Sequence, residues 1–200
     1  RIKRIKKKPK VFNNSLSKYL VSNFNFILTN NQKEIINEIN KDMKSENKMF
    51  RLLQGDVGSG KTIISLISAS NVIESNYQTA FMAPTEILAK QHYNLAKKVF
   101  AGTKIKIGFL IGKTKSSYKK KIIKDLSNGK IKLLVGTHAL FQKDIRFNNL
   151  GLVIIDEQHK FGVKQRMELA NKGGDNCDIL IMSATPIPRT LILAFYGDMD

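Results

Sequence analysis

The stretch Gly55-Asp56-Val57-Gly58-Ser59-Gly60-Lys61-Thr62 constrains this chain more than any other. An apolar run over 49–53 leads into it, and Ile63-Ile64-Ser65-Leu66-Ile67 leads out. That order predicts a strand, a glycine-rich turn and a helix. In that setting Gly-x-x-x-x-Gly-Lys-Thr is a phosphate-binding loop. Glycines accept positive φ and leave room for phosphate oxygens. The amides of the turn point inward and the new helix adds its positive end. Lys61 can reach the outer phosphates, and the Thr62 hydroxyl can join the shell of a magnesium ion. An ordinary glycine turn explains one or two of the glycines, but not Lys-Thr at the fixed offset.

Strand and helix patterns alternate along the chain. Helices are expected over 15–21, from about 32 to 44 with Thr29 or Asn30 as cap, after the loop, over 85–100 and over 114–126. The last of these carries Tyr118, Ile122, Ile123 and Leu126 as its apolar stripe and a lysine-rich solvated face. Strands are expected over 79–83, 104–111, 131–135, 150–155 and 179–182. Residues 104–111 alternate apolar and polar side chains, and the continuous apolar runs of the others suit parallel strands covered on both faces. The fold class is therefore α/β, a mostly parallel sheet flanked by crossover helices. Ala83-Pro84-Thr85, Gly136-Thr137-His138, Asp156-Glu157-Gln158-His159 and Ser183-Ala184-Thr185 all fall at strand carboxyl ends. Open α/β sheets bind ligands on that edge.

Asp156 ends an apolar strand that can hold it beside the phosphate loop, where a carboxylate binds magnesium directly or through water. Glu157, one step on, can polarise the water that attacks the γ-phosphate. Gln158 and His159 are placed to sense that phosphate or to relay to Ser183 and Thr185. Phe26 and Gln32, upstream of the loop, suit adenine by stacking and edge hydrogen bonds, or serve as packing and a cap. His92, inside a helix, reads as structural. Three histidines and one cysteine, none in ligand spacing, offer no zinc site.

The net charge is +18. That fits a nucleic-acid partner, and it fits equally a lysine-rich composition spread over every solvated face. Seven of the first ten residues are Lys or Arg, and no acid precedes Glu34. Such a run reads as a tail or linker over 1–25, with an organelle transit peptide as the alternative. The single cysteine, Cys177, fits a reducing compartment, and no apolar segment is long enough for a bilayer. The opening at Arg1 and the close at Asp200 are expected to mark a piece of something longer.

Gly-Ser-Gly-Lys-Thr, Asp-Glu-Gln-His and Ser-Ala-Thr, in this order, resemble motifs I, II and III of superfamily 2 helicases. Ala83-Pro84-Thr85-Glu86 and Gly136-Thr137-His138 resemble their DNA-contacting motifs Ia and Ib, and Phe26 with Gln32 resembles the adenine-binding Q motif. Longer strings narrow the resemblance to the RecG family of branch-migrating helicases. They are the run from Arg51 to Thr62, Met82-Ala-Pro-Thr-Glu-Ile-Leu-Ala89 with Gln91-His92, Val135-Gly-Thr-His-Ala-Leu140, Phe161-Gly-Val163, and Ala184-Thr-Pro-Ile-Pro-Arg-Thr190. Lys160 and Ser183 depart from the Arg and Thr usual there.

The resemblance implies a RecA-like ATP-binding lobe over 26–200, with a second RecA-like lobe and a junction-splitting wedge domain lying outside this chain. It implies ATP and Mg2+ as cofactors, with catalysis by Lys61, Asp156 and Glu157 and nucleotide contacts from 55–62, Phe26, Gln32 and His159. Magnesium falls to Thr62 and Asp156, DNA to Pro84, Thr85, Thr137 and His138, and coupling to Ser183, Thr185 and Arg189. The expected partners are branched double-stranded DNA, forks and four-way junctions, and the expected state is a cytoplasmic, nucleoid-associated monomer with no membrane association. Two other classes stand beside this motor: a binding module that never hydrolyses ATP, which has no need of Glu157, and a small-molecule kinase, which needs an acceptor lid.

Overall fold

The computed structural model describes residues 5–156 and 171–184. Within them, six strands form one sheet: β1 (Phe50–Gln54), β2 (Gln78–Met82), β3 (Lys106–Leu110), β4 (Ile131–Gly136), β5 (Leu150–Asp156) and β6 (Asp178–Ser183). The order across the sheet is β1-β6-β5-β2-β4-β3, and every pair is parallel. The chain runs outward from β1 to β2, turns at the β3 edge, and returns to insert β5 and β6 between β2 and β1. Every β5 and β6 residue is buried, as expected for strands covered on both faces.

Helices α1 (Ser15–Ser22), α2 (Asn30–Met43), α3 (Lys61–Glu74) and α4 (Glu86–Val99) pack on one face. There Leu20, Ile39, Leu66 and Ala96 meet Phe81, Leu152, Ile154 and Leu180. Helix α5 (Ser116–Ser127) and the short 3-10 turn His138–Phe141 cover the other face, against Leu134, Val153, Ile155 and Ile181. Side chains alternate along a strand, so Asp156, in step with Leu152 and Ile154, belongs to the face that holds α3 and α4. Of the stripe expected on α5, Ile122 and Leu126 are buried but Tyr118, about one turn before Ile122, is exposed.

The basic amino-terminal segment is packed onto the lobe over residues 5–22. Lys7 N donates to Glu46 O, Lys48 N to Ile5 O and Lys10 N to Met43 O. Phe12 and Leu20 enter the core. The Lys7 and Lys10 ammonium groups are fully buried on the Asp178 carboxylate, at 2.7 and 2.6 Å. Asp178 also accepts from Met49 N at 2.7 Å, joining the segment to the foot of β1 and β6. Two charges in a run that looks solvated are the counter-ions of a buried acid.

Candidate nucleotide site

The phosphate loop connects β1 to α3. Gly58 and Gly60 have φ of 84° and 88°, a backbone conformation that glycine adopts without strain. Gly60 caps α3, which begins at Lys61, two residues earlier than its apolar pattern suggests. The free amides of the first turn therefore face the loop. The Lys61 ammonium lies across the loop mouth, donating to Gly55 O at 2.5 Å and Asp56 O at 2.7 Å. Thr62 follows, half-buried on the first turn, and Val57 at the tip is 90% exposed.

Two neighbours fix the loop. Gly55 N donates to Ser183 O at 3.3 Å, so the end of β6 holds the start of the loop. Gln32 Nε2 donates to Ser59 O at 3.0 Å. The same Gln32 completes a capping box with Thr29: its backbone N donates to Thr29 Oγ1 and its Oε1 accepts from Thr29 N. Thr29, rather than Asn30, is thus the cap of α2. Phe26 is half-exposed and stacked on Phe24, ring centres 4.8 Å apart. No described contact ties its ring to the loop.

Asp156 ends β5, two strands from β1, or about 10 Å across the sheet. Its Oδ2 lies 2.6 Å from His92 Nε2 on α4. A carboxylate only accepts, so Nε2 carries the hydrogen. The His92 ring stacks on Phe81 of β2 at 4.7 Å. The sequence gives no local signal for this pair, whose members stand 64 residues apart. Its reading of His92 as structural missed that the ring touches the proposed metal carboxylate.

Pro84 and Thr85 follow β2 on the edge that carries the loop. Thr85 is exposed and caps α4, its Oγ1 accepting from Leu88 N at 3.2 Å. His138 is exposed beyond β4. Thr137 differs: its side chain is buried and its hydroxyl has no hydrogen-bond partner among the described residues. Ser183 is buried at the end of β6. Glu157, Gln158, His159, Lys160, Thr185 and Arg189 lie outside the described residues.

This edge holds a glycine-rich loop with a helix N-terminus and a lysine, groups that suit phosphate, and a hydroxyl and a carboxylate, oxygen groups that suit magnesium. Residues 29–193 match the model of the DEAD/DEAH box helicase family. The ATP-dependent DNA helicase RecG of Thermotoga maritima is 53% identical over 192 residues, covering 96% of this chain and 24% of that protein. RecG of Bacillus subtilis is 47% identical over 94% of this chain and 28% of its own. A structure of RecG bound to a three-way DNA junction superposes with a TM-score of 0.84 at 49% identity, over 97% of this chain and 26% of that one. The chain thus spans about a quarter of the length of these relatives.

Proposed function

The chain belongs to the DEAD/DEAH box helicase family and matches the first helicase lobe of RecG, and we propose that it is the ATP-binding lobe of a RecG-type DNA motor. In this reading ATP hydrolysis drives branch migration of four-way junctions and regression of stalled forks. The observation that supports it most is the convergence of the 55–62 loop and Asp156 on one sheet edge, on the face that carries α3. The residues present fit Mg-ATP. The loop amides and the α3 terminus bind phosphate, and Lys61 exchanges two loop carbonyls for the outer phosphate oxygens. Thr62 and Asp156 hold the metal, which when bound neutralises charge building on the transferred phosphoryl group. Glu157 orients the attacking water, and Gln32 places the adenine.

Pro84, Thr85 and His138 line the exposed end of the same edge and suit the DNA backbone, and Thr137 acts there through its backbone. Ser183 and Thr185 relay between the loop and that edge. A second RecA-like lobe and a wedge, encoded elsewhere in the polypeptide, complete the motor, which works as a cytoplasmic monomer. Among the described residues no helix is long and apolar enough to cross a membrane.

The test is binding of a fluorescent ATP analogue with and without Mg2+, together with turnover with and without four-way junction DNA. The expected result is Mg-dependent binding that Lys61→Ala abolishes. Equal binding by wild type and Lys61→Ala would sink the proposal.

A further inference from the structure

We propose that His92 is a positioning residue for the Asp156 carboxylate, holding one of its oxygens so that the rest of the group is presented to the nucleotide-bound metal. The inference rests on the reading of Asp156 as a metal ligand. It is carried by geometry. Helix α4 lays Ala89, His92, Ala96 and Val99 against the sheet. The two alanines, one turn either side, let the helix approach closely enough for an imidazole to span the gap. Phe81 fixes the ring plane from below, at 4.7 Å and 23°. That ring meets Asp156 Oδ2 at 2.6 Å, and His92 is the carboxylate's only hydrogen-bond partner among the described residues. Without it, no described residue holds the Asp156 carboxylate at the end of the strand. The helix that supplies this contact is capped by Thr85, seven residues or about 10 Å along the axis. The turn after β2 and the metal carboxylate are thus joined by one rigid rod.

A buried histidine that merely satisfies a buried acid is the competing account, and two substitutions of similar volume separate them. His92→Gln keeps an N–H donor at comparable reach; His92→Met keeps the packing on Phe81 and removes the donor. The measurements are thermal melting of each chain, affinity for a fluorescent ATP analogue without Mg2+, and the Mg2+ concentration that half-saturates the metal-dependent gain in binding. Outer partners of metal ligands typically contribute 10–100-fold in metal affinity. His92→Met is therefore expected to need at least about 10-fold more Mg2+, with Mg-free binding unchanged and His92→Gln close to wild type. Native Mg2+ affinity in a folded His92→Met chain would overturn the proposal. So would an equal loss in both variants, or a loss shared by Mg-free binding. Failure of both variants to fold shows a stability role and overturns it as well. Absence of ATP binding by wild type is a separate failure, of the site reading itself, and takes this inference with it.

Discussion

The Gln32 amide reaches back to the Thr29 backbone through Oε1 and forward to the Ser59 carbonyl through Nε2. One side chain therefore both starts helix α2 and pins the phosphate loop. A Cβ built on Gly60 would lie 2.5 Å from that same Nε2, so a side chain there would push the Gln32 amide off Ser59, in addition to the strain of the positive φ. The two jobs of Gln32 separate cleanly. Gln32→Glu keeps the capping box, since Glu serves there as well as Gln, but turns an acceptor toward Ser59 O. It is expected to melt near wild type and to bind ATP several-fold more weakly. Gln32→Ala loses both contacts and should cost a further ~0.5–1.5 kcal/mol of stability. Urea unfolding and ATP titration on the two variants check this.

Asp178 predicts a large stability effect far from the nucleotide edge. Its carboxylate meets two buried ammonium groups and one backbone N–H. Burial holds the Lys7 ammonium below its usual pKa, against the pull of Asp178. Removing the acid strands two charges where water cannot reach. Asp178→Leu should destabilise by about 3–5 kcal/mol. Adding Lys7→Met and Lys10→Met should return most of that loss, because an apolar replacement of the whole group has no charge left to desolvate. Denaturant midpoints for the single and triple variants decide it. A mild single variant would mean that water enters the cluster.

These two sites also mark what was legible in the sequence. The loop over 55–62 announces itself because glycines, lysine and threonine at fixed offsets act within a single turn. The central strands were readable because parallel strands buried on both faces are continuous apolar runs, the β3 edge strand because it alternates, and the bounds moved by two residues at most. The cap at Thr29 is local too. What the sequence hid was long-range pairing. Lys7 and Lys10 sit in a basic run whose ordinary fate is solvent, and their acid is 171 and 168 residues away. His92 looked like filler on an amphipathic helix because its partner belongs to a strand that enters the sheet only after the β3 edge has been built. Thr137 looked like a surface hydroxyl because a Gly-Thr-His turn does not reveal which side chain points inward.

The Cys177 thiol gives a pH prediction. It is fully buried, and desolvation pushes its pKa up to about 12, with Asp178 adding to the effect. In the folded state it stays protonated while the unfolded thiol ionises near 9. The contribution is therefore fully present below pH 9 and is lost as pH rises from 9 towards 12. Cys177→Ala should flatten that part of the stability profile. At pH 8 the native thiol should react with iodoacetamide only as fast as the lobe opens, and at once in urea. Rapid native labelling would contradict the burial.

Turnover is expected to be far weaker than binding. In related phosphoryl-transfer systems an arginine supplied from across the site is worth ~10³–10⁵ in rate, and the proposed second lobe would supply it here. Lys61, Thr62 and Asp156 can hold Mg-ATP from this lobe alone, because the loop and the end of β5 belong to one sheet. In the proposed site, Lys61, the loop amides and the metal would meet the charge that develops between the β- and γ-phosphates, without the arginine of the facing lobe. The chain should therefore hydrolyse ATP at least about 10³-fold more slowly than a polypeptide that carries both lobes, with Mg-ATP affinity lowered much less. Single-turnover rates and equilibrium binding on the two proteins separate the quantities. Junction-stimulated turnover of the 200-residue chain at the two-lobe rate would mean that this lobe, or a second copy of it, already supplies the stabilising charge.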